Sequence, residues 1–330
     1  MKAVYITEFG GTENLEIREL ADPPKPRGSE VLIRVRAAGL NRADLMQLRG
    51  SYPPPAGYSP NIPGLEFAGE VIETGETAAK FRLGDRVFGI TAGEAQAELL
   101  LSDERVLAKI PENLSFNEAA AIPEAFITAH DAVFTQGELT NGEVLLVHAV
   151  ASGVGLAALQ MAKAKGATVI GTSRTADKLQ RCKQFGLDHA IATTEPKFAG
   201  EVMGSTGGRG ADVILDLVGG PYFPENLAAA ATKGRIMLVG LTGGRNSEFS
   251  LGVALFKRLR IIGTVLRGRT IEEKSEATRA FDKEVVPLLA DGRAKPNLDR
   301  VFPADEVREA YEYLGSNKSF GKVVLEFPVT

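Results

Sequence analysis

Apolar and polar side chains alternate over Lys2–Ile6, Leu15–Glu19 and Glu30–Ala37, the period of half-buried strands. Pro23-Pro24-Lys25-Pro26-Arg27-Gly28 is a loop between two of them, and Asn41–Leu48 then takes up a helical rhythm. Ser51–Pro63, with Pro53, Pro54, Pro55, Pro60 and Pro63, reads as an irregular loop. Gly64–Val71 predicts a strand, and Leu83-Gly84-Asp85 a turn into another. Ser115 and Glu118 have the spacing of a capping box at a helix start. Residues 1–122 are therefore expected to be β-rich.

From about Ala125 the pattern changes. Val144–Val147 is wholly apolar and predicts a buried strand. Small residues continue the chain from Ala149 to Gly155. A helical pattern then runs to Lys165, with Val154, Ala158, Met161 and Ala162 on one face, and Gly166 stops it. Ala167–Thr172 reads as a second buried strand. After it come a helix at Asp177–Phe185, strands at His189–Thr193 and Val213–Val218, a helix near Pro224–Ala231, and strands at Arg235–Val239 and Arg260–Val265. Strands alternating with helices predict an α/β fold with a doubly wound parallel sheet. Val144–Ala162 is uncharged and long enough to suggest a membrane span. His148, Ser152 and Gln160 interrupt it, and the next strand and helix come at α/β spacing, so a core unit is the better reading. The tail predicts a helix interrupted near Pro287, a helix at Asp305–Gly315, and a strand at Gly321–Phe327. That strand alternates like the N-terminal ones and is expected to rejoin the first domain.

Strand, tight small-residue turn, helix, strand is the unit that holds a dinucleotide pyrophosphate against a helix N-terminus. Set against the G-x-G-x-x-G fingerprint, Val150-Ala151-Ser152-Gly153-Val154-Gly155 keeps only its last glycine. Ala, Ser and Gly in this turn nevertheless leave the backbone N–H groups open to a phosphate, and Ser152, Gly153 and Val154 are the candidate contacts. The plainer reading is a turn that only closes helix onto strand. The residues after the second strand favour the phosphate site. A site for NAD usually carries Asp or Glu there. Here stand Thr172, Ser173 and Arg174, with Lys178 one turn on, a group suited to a 2′-phosphate and so to NADPH. As an ordinary helix start, the same cations would merely be solvated. Gly219, Gly240 and Leu241 fall at strand C-terminal ends, on the same side as Gly153.

Composition adds limits. Apolar residues make up 44% and charged residues 24%, which suits a globular chain. A net charge of −4 leaves no electrostatic footprint for nucleic acid or an anionic membrane. Met1–Gly10 has no apolar segment of the secretory kind, so the expected location is cytoplasmic. The one cysteine, Cys182, rules out an internal disulfide framework and is expected half-buried on a helix.

Six stretches carry a resemblance from end to end: Gly39–Asp44, Gly50–Pro55, Pro63–Gly69, Leu83–Val87, His148–Gly155 and Gly321–Leu325. The chain resembles the zinc-independent quinone oxidoreductases of the medium-chain dehydrogenase/reductase superfamily, nearest the tumour-suppressor-inducible subgroup. The resemblance implies a GroES-like catalytic domain (1–124 and 267–330) split around a Rossmann domain (125–266), with NADPH in the cleft and a homodimer. It implies that Asn41 and Thr128 lie near the nicotinamide, and that Leu266 and Asn317 contact the cofactor. Asn317 and Phe320 match a segment that closes over the cofactor in relatives. Asn41 is a candidate donor to the acceptor oxygen, or else an N-cap for the helix after it. Tyr52 is a candidate pocket wall and proton donor, and Glu66 is expected to be structural. Thr193 stands where relatives often place Tyr, and can hydrogen-bond to the cofactor but not stack on it.

Zinc-dependent relatives need a thiolate set. Here the corresponding positions are Asn41, Leu65 and Glu124, and His130, His148 and His189 lack metal-ligand spacing, so no metal is expected. Metal-free hydride transfer suits a quinone, or alternatively an α,β-unsaturated aldehyde or ketone. A nucleotide-binding protein with little turnover is the third reading, and a methyltransferase a distant fourth.

Overall fold

The alternating N-terminal segments pair as strands in a computed structural model that describes residues 1–328. Strands β1 (Lys2–Ile6) and β2 (Leu15–Glu19) form an antiparallel pair. Strands β3 (Glu30–Leu40), β4 (Glu66–Thr74), β5 (Arg86–Ile90), β6 (Leu99–Asp103) and β7 (Leu107–Lys109) belong to a second, larger sheet. Helix α1 (Arg42–Leu48) begins directly after β3. Helix α2 (Phe116–Ala120) starts with the expected reciprocal cap: Ser115 Oγ accepts the Glu118 N–H at 3.3 Å, and Glu118 accepts the Ser115 N–H at 2.9 Å. Helix α3 (Pro123–His130) runs on into a π-helical turn, Asp131–Gln136.

Beyond it strand and helix alternate: β8 (Val144–Val147), α4 (Gly153–Ala164), β9 (Thr168–Ser173), α5 (Ala176–Cys182), β10 (His189–Ala192), α6 (Ala199–Ser205), β11 (Ala211–Asp216), α7 (Tyr222–Ala229), β12 (Ala230–Leu238), α8 (Leu251–Lys257) and β13 (Arg260–Gly263). Their order across the sheet is β10-β9-β8-β11-β12-β13, every pair parallel. The order reverses between β8 and β11, the topological switch point at which such sheets bind ligands. The chain then continues through α9 (Ile271–Glu284), α10 (Val286–Ala290), β14 (Leu298–Pro303), α11 (Val307–Gly315) and β15 (Lys322–Glu326). Strand β15 pairs with β3 antiparallel and with β14 in parallel, and so joins the larger sheet.

Contacts divide the chain into two units. One comprises Met1–Ile127 and the chain from Leu266 onward, the other Thr128–Val265. The first is built on a core that includes Phe67, Phe81, Leu107, Phe302 and Tyr311, the second on one that includes Leu146, Ile170, Phe198, Ile214 and Ile236. Each such side chain contributes about 1.5–3 kcal/mol by leaving water.

Four local expectations are corrected. Strand β15 does not alternate: Lys322, Val323, Val324 and Leu325 are all buried, because the strand is central in its sheet and helices α11 and α2 also pack against it. Helix α7 ends at Ala229, since Ala230 already pairs in β12. Helix α4 is buried from Gly155 through Ala162 rather than on one face, while Val154 is only half-buried. Cys182 is wholly buried, and burial pushes its thiol up to about 12.

Candidate functional site

In the parallel-sheet unit, the turn from β8 into α4 is shaped by two backbone constraints. Ala149 takes the left-handed conformation at φ 47°, a place where glycine would be unstrained. At Gly155 a Cβ would lie 2.6 Å from the Ala149 carbonyl oxygen and 2.7 Å from Val150 Cα, so only glycine lets the helix pack this close to the turn. Ser152 is the N-cap, its Oγ accepting the Gly155 N–H at 3.1 Å. Among the described residues no acceptor takes the N–H of Gly153 or Val154. Two open donors at the start of a twelve-residue helix make an anion cradle.

The ends of the neighbouring strands are tied together by a buried polar chain. His148 Nδ1 lies 2.9 Å from Thr172 Oγ1, and its Nε2 lies 2.6 Å from Asn226 Oδ1. Asn226 Nδ2 donates to Asp216 Oδ2 at 2.9 Å, and Asp216 Oδ1 accepts the Val218 and Gly219 N–H groups, each at 2.8 Å. Because the Asn226 amide spends its nitrogen on Asp216, its oxygen must accept from His148, which leaves Nδ1 to accept from Thr172. Burial holds His148 below its ordinary pKa, in keeping with a neutral ring. Thr172 is therefore corrected as a phosphate ligand: it is buried and its hydroxyl is spent on His148.

The other nucleotide candidates are arranged along the same edge. Ser173 is half-buried at the end of β9, Arg174 is exposed, and Lys178 is half-buried in the first turn of α5. Thr193 is buried, donating its hydroxyl to the Glu195 carbonyl and its N–H to Ser173 O at 2.9 Å, so it retains no proton to give a ligand. Gly219 sits at φ 65° after β11. The Gly240 N–H donates to Asp216 O at 3.1 Å, and Leu241 is exposed just beyond β12. Since the strands are parallel, Gly153, Ser173, Gly219, Gly240 and Leu241 share the C-terminal edge of the sheet. Thr128 is half-buried on α3, at the first residue of this unit.

The other unit gathers charges that sequence spacing did not connect. Asn41 is extended ahead of α1, and its backbone N–H donates to Asp44 Oδ2 at 2.7 Å. Asn41 is the N-cap of α1, as one of the two expectations had it, and forms a capping box with Asp44. Its side chain is engaged elsewhere as well: Nδ2 donates to Glu66 Oε1 at 2.8 Å and, weakly, to Gly39 O at 3.4 Å, while Oδ1 accepts from Lys322 Nζ at 2.7 Å. Lys322 also donates to Glu66 Oε1 and, at 2.8 Å, to Leu40 O. The second oxygen of Glu66 accepts the Glu124 N–H at 2.9 Å. Glu66 has no exposed surface, so its charge depends on Lys322 and these donors.

Two other carboxyls respond to this arrangement. Burial raises Asp44 to about 6, against the lowering effect of the Asn41 N–H, Lys322 and Arg267. Burial, and after it the nearby Glu66 charge, raises Glu124 to about 8, against Lys322 and Lys274. Arg267 is buried and donates to Ala92 O and Tyr52 O, each at 2.8 Å, and to the Gln47 side chain. Its guanidinium lies 5.0 Å from the Tyr52 ring centroid, so it fixes both the backbone and the ring of that loop residue. Burial pushes the Tyr52 phenol up, which makes it a poorer acid. Asn317 is exposed at φ 61°, and its Oδ1 accepts from Arg42 at 2.5 Å. Phe320 is wholly buried, and Leu266 is buried in this same unit.

Comparison with known proteins agrees with both halves. Residues 27–131 match the alcohol dehydrogenase GroES-like domain, and residues 153–283 the zinc-binding dehydrogenase family. Quinone oxidoreductase-like protein 2 of Mus musculus is 32% identical over 98% of this chain and 91% of its own. The crystal structure of Escherichia coli quinone oxidoreductase complexed with NADPH superposes with a TM-score of 0.87, at 30% identity, over 99% of this chain and 100% of that one. The CurK enoyl reductase superposes with a TM-score of 0.87 at 27% identity, over 99% of each chain. With a GroES-like unit, a six-stranded nucleotide-binding sheet and these relatives, the chain belongs to the medium-chain dehydrogenase/reductase superfamily of oxidoreductases.

Proposed function

We propose that the protein reduces quinones with NADPH by metal-free hydride transfer. The observation that carries the reading is the pairing of the open Gly153 and Val154 donors with an acid-free strand end bearing Ser173, Arg174 and Lys178. The turn fits a pyrophosphate because Gly155 keeps it clear and Ser152 closes the helix without using the first two donors. In this reading Ser173, Arg174 and Lys178 hold the 2′-phosphate. Gly219, Gly240 and Leu241 line the cofactor's edge of the sheet, and Thr128, Thr193, Leu266 and Asn317 complete its surroundings. When bound, NADPH supplies the hydride. Asn41 then steadies the growing negative charge on the acceptor oxygen, giving up only its weak contact to Gly39 O. Tyr52 serves as a pocket wall.

The donor set argues against a thiolate metal site. The chain has one cysteine, and the Lys322 ammonium occupies the space between Asn41 Oδ1 and Glu66. The second reading, reduction of α,β-unsaturated aldehydes or ketones, is favoured by the likeness to an enoyl reductase. Initial rates of NADPH and NADH oxidation on a quinone panel and an alkenal panel decide between them. Fast turnover of quinones is expected. Tight NADPH binding without oxidation by any acceptor would instead identify a nucleotide-binding protein with little turnover.

We further propose a cytoplasmic homodimer. No helix among the described residues is long and apolar enough to cross a membrane. Strand β13 is an edge strand, and Leu251, Leu255 and Phe256 of α8, the helix that precedes it in the chain, stand 74%, 71% and 84% exposed. A second copy of this chain would satisfy both the edge and the apolar face.

A further inference from the structure

Hydride transfer delivers two electrons and leaves the reduced acceptor one proton short. Among the described residues, Glu66, Asp44 and His148 have no proton to spare for it. Both oxygens of Glu66 are occupied, by Lys322 and Asn41 on one side and the Glu124 N–H on the other. Asp44 accepts from the Asn41 N–H and, at 3.2 Å, from the Gly64 N–H. Both ring nitrogens of His148 are engaged. Glu124 differs. Its backbone is anchored on Glu66, its side chain is half-buried, and no described residue forms a hydrogen bond to its carboxyl.

Its position is also defined. The two oxygens of Glu66 hold the Asn41 amide and the Glu124 N–H, so these residues flank a single carboxylate. Through Glu66, Glu124 is held beside Asn41, the residue that steadies the acceptor in the proposed reductase. Its charge also acts on the Tyr52 phenol.

We propose that Glu124 is the proton donor that completes reduction, an assignment that rests on the reductase reading. The carboxyl O–H bond of Glu124 breaks as a new O–H bond forms on a quinone oxygen, or a C–H bond on the α-carbon of an enone. The carboxylate left behind regains its proton from water, so each turnover consumes one NADPH and one solvent proton. Burial keeps Glu124 loaded, and the Glu66 charge adds to it, because Glu66 is the carboxylate paired with Lys322. Asp44 reinforces this, Lys322 and Lys274 oppose it, and Glu124 in turn acts on Arg267 and Tyr52. The balance leaves the carboxyl protonated until about pH 8, above neutrality and well placed for a general acid.

The test compares wild type with E124Q and E124D. E124Q should bind NADPH with unchanged affinity by fluorescence, yet lose about 10²-fold or more in kcat on the preferred acceptor. The wild-type kcat should fall as pH rises through about 8, and that limb should vanish in E124Q and return, displaced, in E124D. Infrared titration of the ligand-free wild type should show a protonated carboxyl band that persists at neutral pH and disappears near pH 8, whether or not the variants fold. An active wild type whose E124Q variant keeps both kcat and pH profile overturns the assignment alone. So does a wild type whose carboxyl bands are all lost by pH 6. A wild type inert toward every acceptor sinks the reductase reading, and the proton donor with it.

Discussion

Lys322 and Glu66, 256 positions apart in sequence, form a buried ion pair that joins the last strand to β4. Removing the cation leaves Glu66 charged with no counter-ion, and breaking one partner of a buried pair costs about 3–5 kcal/mol. Lys322→Met is therefore expected to lower stability by that amount and to speed hydrogen exchange along β15. Adding Glu66→Gln to the same protein should recover much of the loss, because the stranded charge is then gone. Denaturant midpoints of the two variants check this. Equal losses in both would show that the pair carries no coupling.

The same pair marks the limit of what local pattern can reveal. The six parallel strands were legible mainly as short apolar runs, and five agree with the sheet, whereas β12 begins at Ala230, five residues before the run read from Arg235. Strand β6 was not, since its apolar run is only Leu99-Leu100-Leu101, with no glycine or proline beside it to mark a boundary. Strand β14 was missed because its exposed positions break the apolar rhythm. Helix α3 and its π-helical extension lie where the chain passes from one pattern to the other. At the site, the turn at Gly155 and the basic strand end are local features and could be read directly. The Asn41–Glu66–Lys322–Glu124 cluster joins four distant segments, so spacing carries no trace of it. The usable clue was physical: Glu66 and Lys322 each open a strand directly ahead of apolar residues, Phe67-Ala68 and Val323-Val324-Leu325, and a charge placed there needs a partner.

Stability should depend on pH through the raised carboxyls. Glu124 and Asp44 hold their protons more tightly in the folded state than in the unfolded chain. Their stabilisation is complete below about pH 4, the ordinary carboxylate range, and is lost as pH rises, by about 6 for Asp44 and about 8 for Glu124. E124Q cannot lose a proton, so it should match wild type near pH 5 and exceed it by a few kcal/mol at pH 8. Urea unfolding at the two pH values measures the difference. A gain of equal size at both would place its cause in packing. Together with the expected loss of activity in E124Q, this makes Glu124 a residue kept at the expense of stability.

Cofactor choice should reside in the end of β9. Arg174→Ala with Lys178→Ala removes two charges from the region assigned to the 2′-phosphate. At about 1.5–3 kcal/mol for a hydrogen bond to a charged group, NADPH affinity should fall by at least ~10²-fold, with NADH changed little. Fluorescence titration with both nucleotides reads this directly. Equal losses for the two would move the phosphate elsewhere.

The turn itself supplies opposite expectations for two small changes. Ala149 pays for its left-handed φ of 47°, a cost of about 1–2 kcal/mol that glycine avoids but partly returns through a freer unfolded chain. Ala149→Gly should therefore be neutral or stabilising by up to ~1 kcal/mol. Gly155→Ala should be strongly unfavourable, because its new methyl meets backbone 2.6–2.7 Å away that cannot rotate aside. It should also displace the Gly153 and Val154 donors and weaken NADPH binding. Thermal unfolding with and without NADPH separates these effects, since only a change in the donors alters the shift that the nucleotide produces.

The apolar face of α8 should govern association. Val253, Ala254 and Leu259 pack inward on the sheet core, whereas Leu251, Leu255 and Phe256 point away from it. Large apolar side chains left this exposed invite association, and a two-fold pairing of the edge strand β13 with itself closes the edge without starting a filament. Phe256→Glu puts a charge on each copy at the centre of that face, where the two would repel and be desolvated together. The wild type should run as a dimer in size-exclusion chromatography with light scattering, and the variant as a monomer. Because the substituted side chain is 84% exposed in the single chain, the monomer's own stability should change by less than ~0.5 kcal/mol. A variant that remains dimeric would place the contact on another face of the protein.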